Sequence, residues 1–314
     1  MVIEELKKLD PATLEISDYN KRYLERMRPD WDFYQEIYSH CLDIVAANLE
    51  KPIEEATIVD YGGGHGVLSI MAKERGFGQV IYIDNNKKCV ETAGVLTDRL
   101  GIGPDVMLEG EATELCKWSR RDEVNIDYLL GMDVIEHIYC LDDFFSSLMK
   151  INPQMGMIFT TGSTPYNKKV MKRLRKIMIN DEQTYRSLRN EYIRASFPDL
   201  TEKEIDYWTE NTRGLIYQDI SRAIESSSPN ILSDPFNTCD PRNGNWTERI
   251  LPISNYEQLL KQYHHNLTVE SGFHNTHRKG LKGRLSRWQN KLIALSHGQR
   301  RAPWLILNSV AHER

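Results

Sequence analysis

Two short segments hold most of the residues whose types and spacing could do chemistry. The first, IVDYGGGHGVLSI from Ile58 to Ile70, sets Gly62, Gly63, Gly64 and Gly66 with His65 between an apolar run that reaches Asp60 and a second apolar run. A strand-to-helix turn exposes helix N-terminal amides, and glycine there lets a ligand lie against the main chain and lets φ turn positive. The second, MDVIEHI, brings Met132, Asp133, Glu136 and His137 together just after another apolar run. An imidazole and a carboxylate at the end of a strand are candidates for general-base work. Between the two, QVIYID ends in Asp84 and is followed by Asn85, and DVMLEGEATEL places Glu111 and Ala112 after a third run. Asp84 stands 18 residues past Gly66, where a carboxylate can accept both hydroxyls of a ribose.

The spacing narrows the ligand. A dinucleotide loop reads GxGxxG, whereas Gly62, Gly64 and Gly66 give GxGxG, with Val67 at the third glycine position. That disfavours a nicotinamide dinucleotide.

Those residues need a scaffold, and the chain supplies a regular one. Residues 1–50 read as helical, with Ile37, Cys41, Ile44, Val45 and Leu49 at helical spacing. After Pro52, five short apolar runs (ATIVD, QVIYID, DVMLE, IDYLLG, MGMIFTT) alternate with helix-compatible segments, the pattern of a parallel sheet covered on both faces. From Pro165 to about Asn245 the alternation stops and long helical segments give way to turn-rich SSSPN and DPFNTCDPRNGN. A helix (ISNYEQLLKQY) and two strands (NLTVESGF, APWLILNSV) then complete the pattern. We therefore expect an α/β Rossmann-like core. Its parts are an N-terminal helical lid (1–50), a core (51–164), a helical insertion over the substrate (165–249) and a C-terminal completion (250–314). The connection from Asn275 to Arg301 is longer than a hairpin needs.

Composition bounds the partners. Five scattered cysteines without a CxxC pair argue against a disulfide framework or thiolate zinc site and for a reducing compartment. With no run of about 18 apolar residues to span a membrane, the expected location is the cytoplasm. The net charge of −5 divides unevenly: residues 1–160 carry −13 and residues 161–314 carry +8. Between Ser271 and His312 there is no acidic residue, and Arg278, Lys279, Lys282, Arg284, Arg287, Lys291, Arg300 and Arg301 stand unopposed. Such a footprint could serve nucleic acid, but no aromatic-basic module accompanies it, so nucleic acid is not the expected partner. Lys168, Lys169, Lys172, Arg173, Arg175 and Lys176 form a second basic group, able to receive an anionic acceptor. Tyr19, Tyr23, Trp31, Phe33, Tyr34 and Tyr38 could line a substrate lid or simply pack on the sheet.

In order and spacing, the glycine loop, Asp84, Glu111–Ala112 and DVIEHI resemble the motifs of class I S-adenosylmethionine-dependent methyltransferases over roughly residues 55–162, and more weakly from 250 onward. DVIEHI is similar to the segment found in ubiquinone-biosynthesis O-methyltransferases and their small-molecule relatives. It also resembles that of metal-dependent small-RNA 2′-O-methyltransferases, but the distant histidine of those enzymes has no counterpart here, and no metal is expected. The resemblance implies a seven-stranded sheet with its last strand antiparallel, and S-adenosylmethionine as cofactor. It further implies that Gly62, Gly64 and Gly66 pass beneath the methionine part and that Asp60 orders the loop or reaches the amino group through water. Asp84 would hold the ribose, Asn85 and Glu111 would lie by the adenine, and Ala112 would lend an amide. Met132 and Asp133 would line the floor below the sulfonium. His137 is then the candidate base, with Glu136 beside it, for transfer to a small-molecule or lipid- or sugar-linked acceptor, most often at oxygen. An RNA or protein acceptor served by the basic half is the alternative. His264, His265, His274 and His277 flank the sixth strand and are further candidates to reach the cleft. Oligomeric state and acceptor identity are not legible.

Overall fold

A computed structural model describes residues 2–295 and 298–312. Helices α1 (Val2–Lys8), α2 (Asp18–Met27) and α3 (Trp31–Asn48) precede β1 (Thr57–Tyr61), α4 (Val67–Arg75), β2 (Gln79–Asp84), α5 (Lys87–Leu100), β3 (Val106–Glu109), α6 (Ala112–Arg121), β4 (Tyr128–Met132), α7 (Leu141–Met149) and β5 (Gly156–Thr161). The chain then leaves the sheet for α8 (Lys168–Ser196), α9 (Glu202–Asn211) and α10 (Tyr217–Glu225). It returns through α11 (Ile253–Gln262), β6 (His265–Ser271), α12 (Gly280–Leu295), α13 (Gly298–Arg301) and β7 (Leu305–Ala311).

The strands form one sheet in the order β3-β2-β1-β4-β5-β7-β6. β1 to β5 are mutually parallel where they pair, and β7 runs antiparallel to both β5 and β6. The seven-stranded α/β sheet with an antiparallel last strand matches expectation, and α12 fills the long connection between β6 and β7. Strand residues alternate between two cores. Ile58, Leu130, Ile158 and Ile306 meet α1 to α5 on one face. Val59, Ile81, Ile83, Leu129, Met157, Phe159 and Leu307 meet α6, α7 and α11 on the other. Burial on both faces explains why the strands read as continuous apolar runs rather than alternating ones.

Because the chain moves from β1 outward to β3 and then restarts on the other side of β1 at β4, the strand order reverses between β1 and β4. A crevice opens at such a reversal, at the carboxyl ends of the strands. Both segments singled out from the sequence, the glycine turn and MDVIEHI, emerge there.

The helices between β5 and α11 have a small core of their own, Ile193, Ile205, Trp208 and Ile220. Beside it lies Arg189, whose side chain is fully buried. Its guanidinium donates to both oxygens of Glu182 at 3.3 and 2.5 Å and to the Thr209 carbonyl at 3.1 Å. Thr238 donates to Glu182 as well, at 2.6 Å. A guanidinium this deep is tolerated only while paired, and removing the partner of a buried pair typically costs about 3–5 kcal/mol. Glu182→Ala should therefore lower unfolding stability by about that much, read from urea denaturation. A loss below about 1 kcal/mol, the range of exposed pairs, would show that solvent reaches Arg189.

Candidate active site

The glycine turn is built by close packing on three sides. A Cβ on Gly63 would lie 2.6 Å from the Tyr82 ring and 2.9 Å from the Asp60 carboxyl carbon, so no side chain fits. Gly64 differs: nothing lies within 4 Å of its would-be Cβ, and its φ is +55°. Its bareness leaves an open flank of main chain.

Three acceptors tie the turn in place. Asp60 receives the amide and hydroxyl of Ser69 at 3.0 and 2.7 Å, closing the first turn of α4. The Tyr82 hydroxyl donates to the Gly64 carbonyl at 2.7 Å. The two oxygens of Asp84 accept separately, one from the Gly64 amide at 2.9 Å and one from the Asn86 amide at 2.8 Å. A carboxylate oxygen has two lone-pair sites, so each keeps one free for a further donor. Burial raises the Asp84 carboxyl, opposed by those two amides. Beside it, the Asn85 amide donates to Glu111 at 3.2 Å, and Ala112 begins α6 immediately after Glu111. The structure thus brings Gly62, Gly64, Gly66, Asp84, Asn85, Glu111 and Ala112 to one end of the sheet. Asp60 belongs to the turn itself, with one oxygen engaged by both Ser69 donors.

Across the strand reversal, Asp133 follows β4 with a φ of +52°, a conformation costly for a residue with a side chain and frequent at functional positions. Its amide donates to the Thr160 hydroxyl at 3.0 Å. Water reaches the Asp133 side chain, yet protein surrounds it closely enough that desolvation raises its carboxyl, with nearby Glu248 adding and His137 opposing. Following β4 at its carboxyl end, Asp133 lies at the crevice of the strand reversal, a solvent-open recess. The phenols of Tyr23, Tyr34 and Tyr38 lie near it: each is raised by burial first, and each feels the charge of Asp133. Of the aromatic set read from the sequence, these three lie within reach of the Asp133 charge. Trp31 is core, Phe33 packs edge-on to Phe273, and Tyr19 is exposed.

Glu136 is 1% exposed, accepts from the Gly162 amide at 3.2 Å through one oxygen and leaves the other without a partner. Burial and then Asp133 push its carboxyl well above the usual carboxylate range, toward the neutral form. His137 lies 2.7 Å through Nδ1 from the Trp246 carbonyl. A carbonyl only accepts, so Nδ1 carries a proton, and in a neutral imidazole the lone pair is then on Nε2. The same segment clamps the turn through main chain, Trp246 N donating to the His137 carbonyl at 3.3 Å and Arg249 N to the Glu136 carbonyl at 3.2 Å.

His65, between Gly64 and Gly66, is 6% exposed and stacks on Tyr23 with centroids 4.6 Å apart. Desolvation, then the charge of Arg26, lowers it to about 4. Of the sixth-strand histidines, His265 bonds Ser309 and the Pro153 carbonyl at the opposite end of the sheet, and His277 pairs with Glu36 at 3.0 Å. No group of three or more His, Cys, Asp or Glu among the described residues is arranged to hold a metal ion.

No protein-family profile matches the chain. Ribosomal protein L11 methyltransferase of Cyanothece sp. (strain PCC 7425 / ATCC 29141) is 31% identical over 104 residues, 31% of this chain and 35% of that protein. Ubiquinone biosynthesis O-methyltransferase of Pelagibacter ubique (strain HTCC1062) is 26% identical over 117 residues, 37% of this chain and 46% of that one. Over these stretches the chain is similar to S-adenosylmethionine-dependent methyltransferases. It spans about a third to a half of the length of the curated relatives it matches. Among solved structures, magnesium protoporphyrin IX methyltransferase from Synechocystis PCC 6803 with bound SAH is 12% identical, with TM-score 0.44, over 92% of this chain and 87% of that one. The plantazolicin methyltransferase in complex with a triazolic analogue and SAH is also 12% identical, with TM-score 0.42, over 99% and 98%.

Sequence reading missed two members of this candidate site, Glu248 and Trp246. Glu248 has a φ of +51° and receives the Ser163 hydroxyl at 3.0 Å. Nothing in TERILP marks it, because it reaches the recess through a fold of the chain rather than a spacing. Trp246 acts through its carbonyl, which carries no residue-type signal.

Asp60 gives a pH test of this geometry. Its carboxyl is pushed up from 3.8 to about 6 by burial, with the Ser69 hydrogen bonds opposing. A carboxyl raised in the folded state contributes stability that is full below its unfolded value and is lost as pH rises through the folded one. Asp60→Asn should therefore flatten part of the wild-type fall in stability between about pH 4 and 6, measured as urea midpoints. Identical slopes would place Asp60 in contact with water.

Proposed function

We propose that the protein is an S-adenosylmethionine-dependent methyltransferase acting on a small-molecule or lipid- or sugar-linked acceptor, at oxygen. The observation that carries this reading is Asp84, held edge-on by two main-chain amides beside an open flank of bare backbone at the strand reversal. Such a carboxylate suits a ribose diol. The turn offers main chain but no lysine or arginine, so a sulfonium fits it better than a pyrophosphate.

The cofactor, when bound, supplies a methyl group already activated on a sulfonium. What remains for the chain is to align, to exclude water and to take up a proton. Gly62, Gly64 and Gly66 would underlie the methionine part, with Asn85, Glu111 and Ala112 around the adenine and Met132 and Asp133 beneath the sulfur. His137 is assigned as the base that removes the acceptor hydroxyl proton at Nε2, since its Nδ1 is fixed on Trp246. Glu136 is assigned to shaping the turn, through the Gly162 amide. With Asp133, Glu136 and Glu248 around one recess, any anionic portion of an acceptor belongs at the outer lip. Arg26, over the Tyr23 ring at 4.6 Å from its centroid, is assigned to receive it. The free cysteines, four of them buried, support action in the cytoplasm.

Calorimetry should find S-adenosylmethionine and S-adenosylhomocysteine binding that Asp84→Ala weakens at least tenfold; NADH binding with no heat from either would overturn the reading. His137→Ala should reduce tritium transfer from labelled cofactor into a cell extract by about 10²-fold or more, the range for a general base, with cofactor affinity held within twofold. Undiminished transfer would remove His137 from the chemistry.

A further inference from the structure

Helix α12, in the connection between β6 and β7, carries its apolar residues on the outside. Leu281, Leu285, Trp288 and Leu295 are 81, 55, 58 and 79% exposed. At 3.6 residues per turn these positions and the partly covered Leu292 fall in one stripe along the helix. Lys282, Arg284, Arg287 and Lys291 flank the stripe, Lys279 precedes it, and no acidic residue occurs between Ser271 and His312.

The opposite face holds the helix to the protein. Gly283 and Ser286 are buried, and a Cβ on Gly283 would lie 1.9 Å from the Arg278 carbonyl oxygen. The Asn290 side chain accepts from the His274 amide at 2.7 Å and donates to the His274 carbonyl at 3.0 Å. Upstream, Arg278 pairs with Asp30 and His277 with Glu36, so the segment is also tied to α3. Held in this way, α12 cannot roll its leucines inward. Single exposed leucines are ordinary, but an aligned stripe that includes a tryptophan and is bordered by cations calls for an occupant.

We propose that α12 docks the enzyme on an anionic lipid surface. The stripe would enter the boundary between headgroups and acyl chains, Trp288 at headgroup level, with the lysine and arginine side chains reaching the lipid phosphates. Charge complementarity selects this occupant. RNA would satisfy the cations but leave the leucines in water. A second copy would bring the same excess of positive charge to the contact. β6 ends, and β7 begins, at the edge of the sheet where β1 and β4 open toward the recess, since Ser271 and Leu305 pair with each other and Leu305 with Thr161. Docking there would set the crevice toward the lipid, which favours the lipid-linked acceptor among those proposed above. That last step rests on the methyltransferase reading; the docking does not.

The full chain should co-sediment with vesicles of phosphatidylcholine containing 30 mol% phosphatidylserine, bind pure phosphatidylcholine at least tenfold more weakly, and lose most binding when salt rises from about 0.1 to 0.5 M, as screening requires. Leu285→Glu combined with Trp288→Glu should reduce binding at least tenfold, with S-adenosylhomocysteine affinity unchanged as the check on folding. Failure to co-sediment, equal binding to both vesicle types, or equal binding of the double variant overturns the proposal. So does a concentration-dependent dimer that the double variant abolishes, which would give the stripe to a second copy. Loss of cofactor binding with vesicle binding intact would instead defeat the methyltransferase reading alone.

Discussion

The close approach of main chain to the Tyr82 ring and the Asp60 carboxyl at Gly63 constrains the rest of the core. No side chain fits between them, so the chain leaving β1 must turn as bare backbone, and that turn sets where α4 begins and where Asp84 finds an amide. Asp60, buried to close the first turn of α4, and Tyr82, buried to hold the Gly64 carbonyl, are both polar groups taken out of water. Each is tolerable only because it is hydrogen-bonded. Loosening the turn would therefore leave several buried groups unsatisfied at once, which makes it a rigid edge for a ligand rather than a flexible loop.

Facing that edge is a recess lined mainly by residues of the acidic first half of the chain, with Glu248 added from the basic second half. Asp133 and Glu136 are both raised by burial first, and Glu248 raises them further. Both Asp133 and Glu248 sit at positive φ, so the fold spends backbone strain to keep carboxylates there. Three phenols, each raised by burial first, lie near Asp133, with Arg26 over the Tyr23 ring. The surplus cations of the second half stand elsewhere, on α8 and α12.

Local spacing made much of this legible. Glycines 62 to 66, the carboxylate closing β2 and the run into β4 could be placed because a strand followed by a turn fixes where the next few side chains point. The alternation of short apolar runs with helices disclosed the parallel sheet for the same reason. What the sequence withheld depends on long-range closure. Trp246 and Glu248 lie more than a hundred residues beyond the strand they serve, and His265, attractive by proximity to a strand, proves to face the far end of the sheet. Counting charge exposed the basic tract around α12 but not its meaning. Which side of that helix is covered depends on contacts with other segments, Asn290 with His274 and Arg278 with Asp30, that leave no compositional trace.

The hydrogen bond from His137 to the Trp246 carbonyl spans 109 residues of sequence. Because the acceptor is backbone, no exchange of the tryptophan side chain can delete it, whereas any insertion or deletion between residues 237 and 250 would move the carbonyl along the strand of chain that carries it. The imidazole would then be free to flip and present its protonated nitrogen inward. Indel tolerance in this excursion, rather than tolerance to point substitution, is thus the property that evolution or an engineer would find most tightly limited.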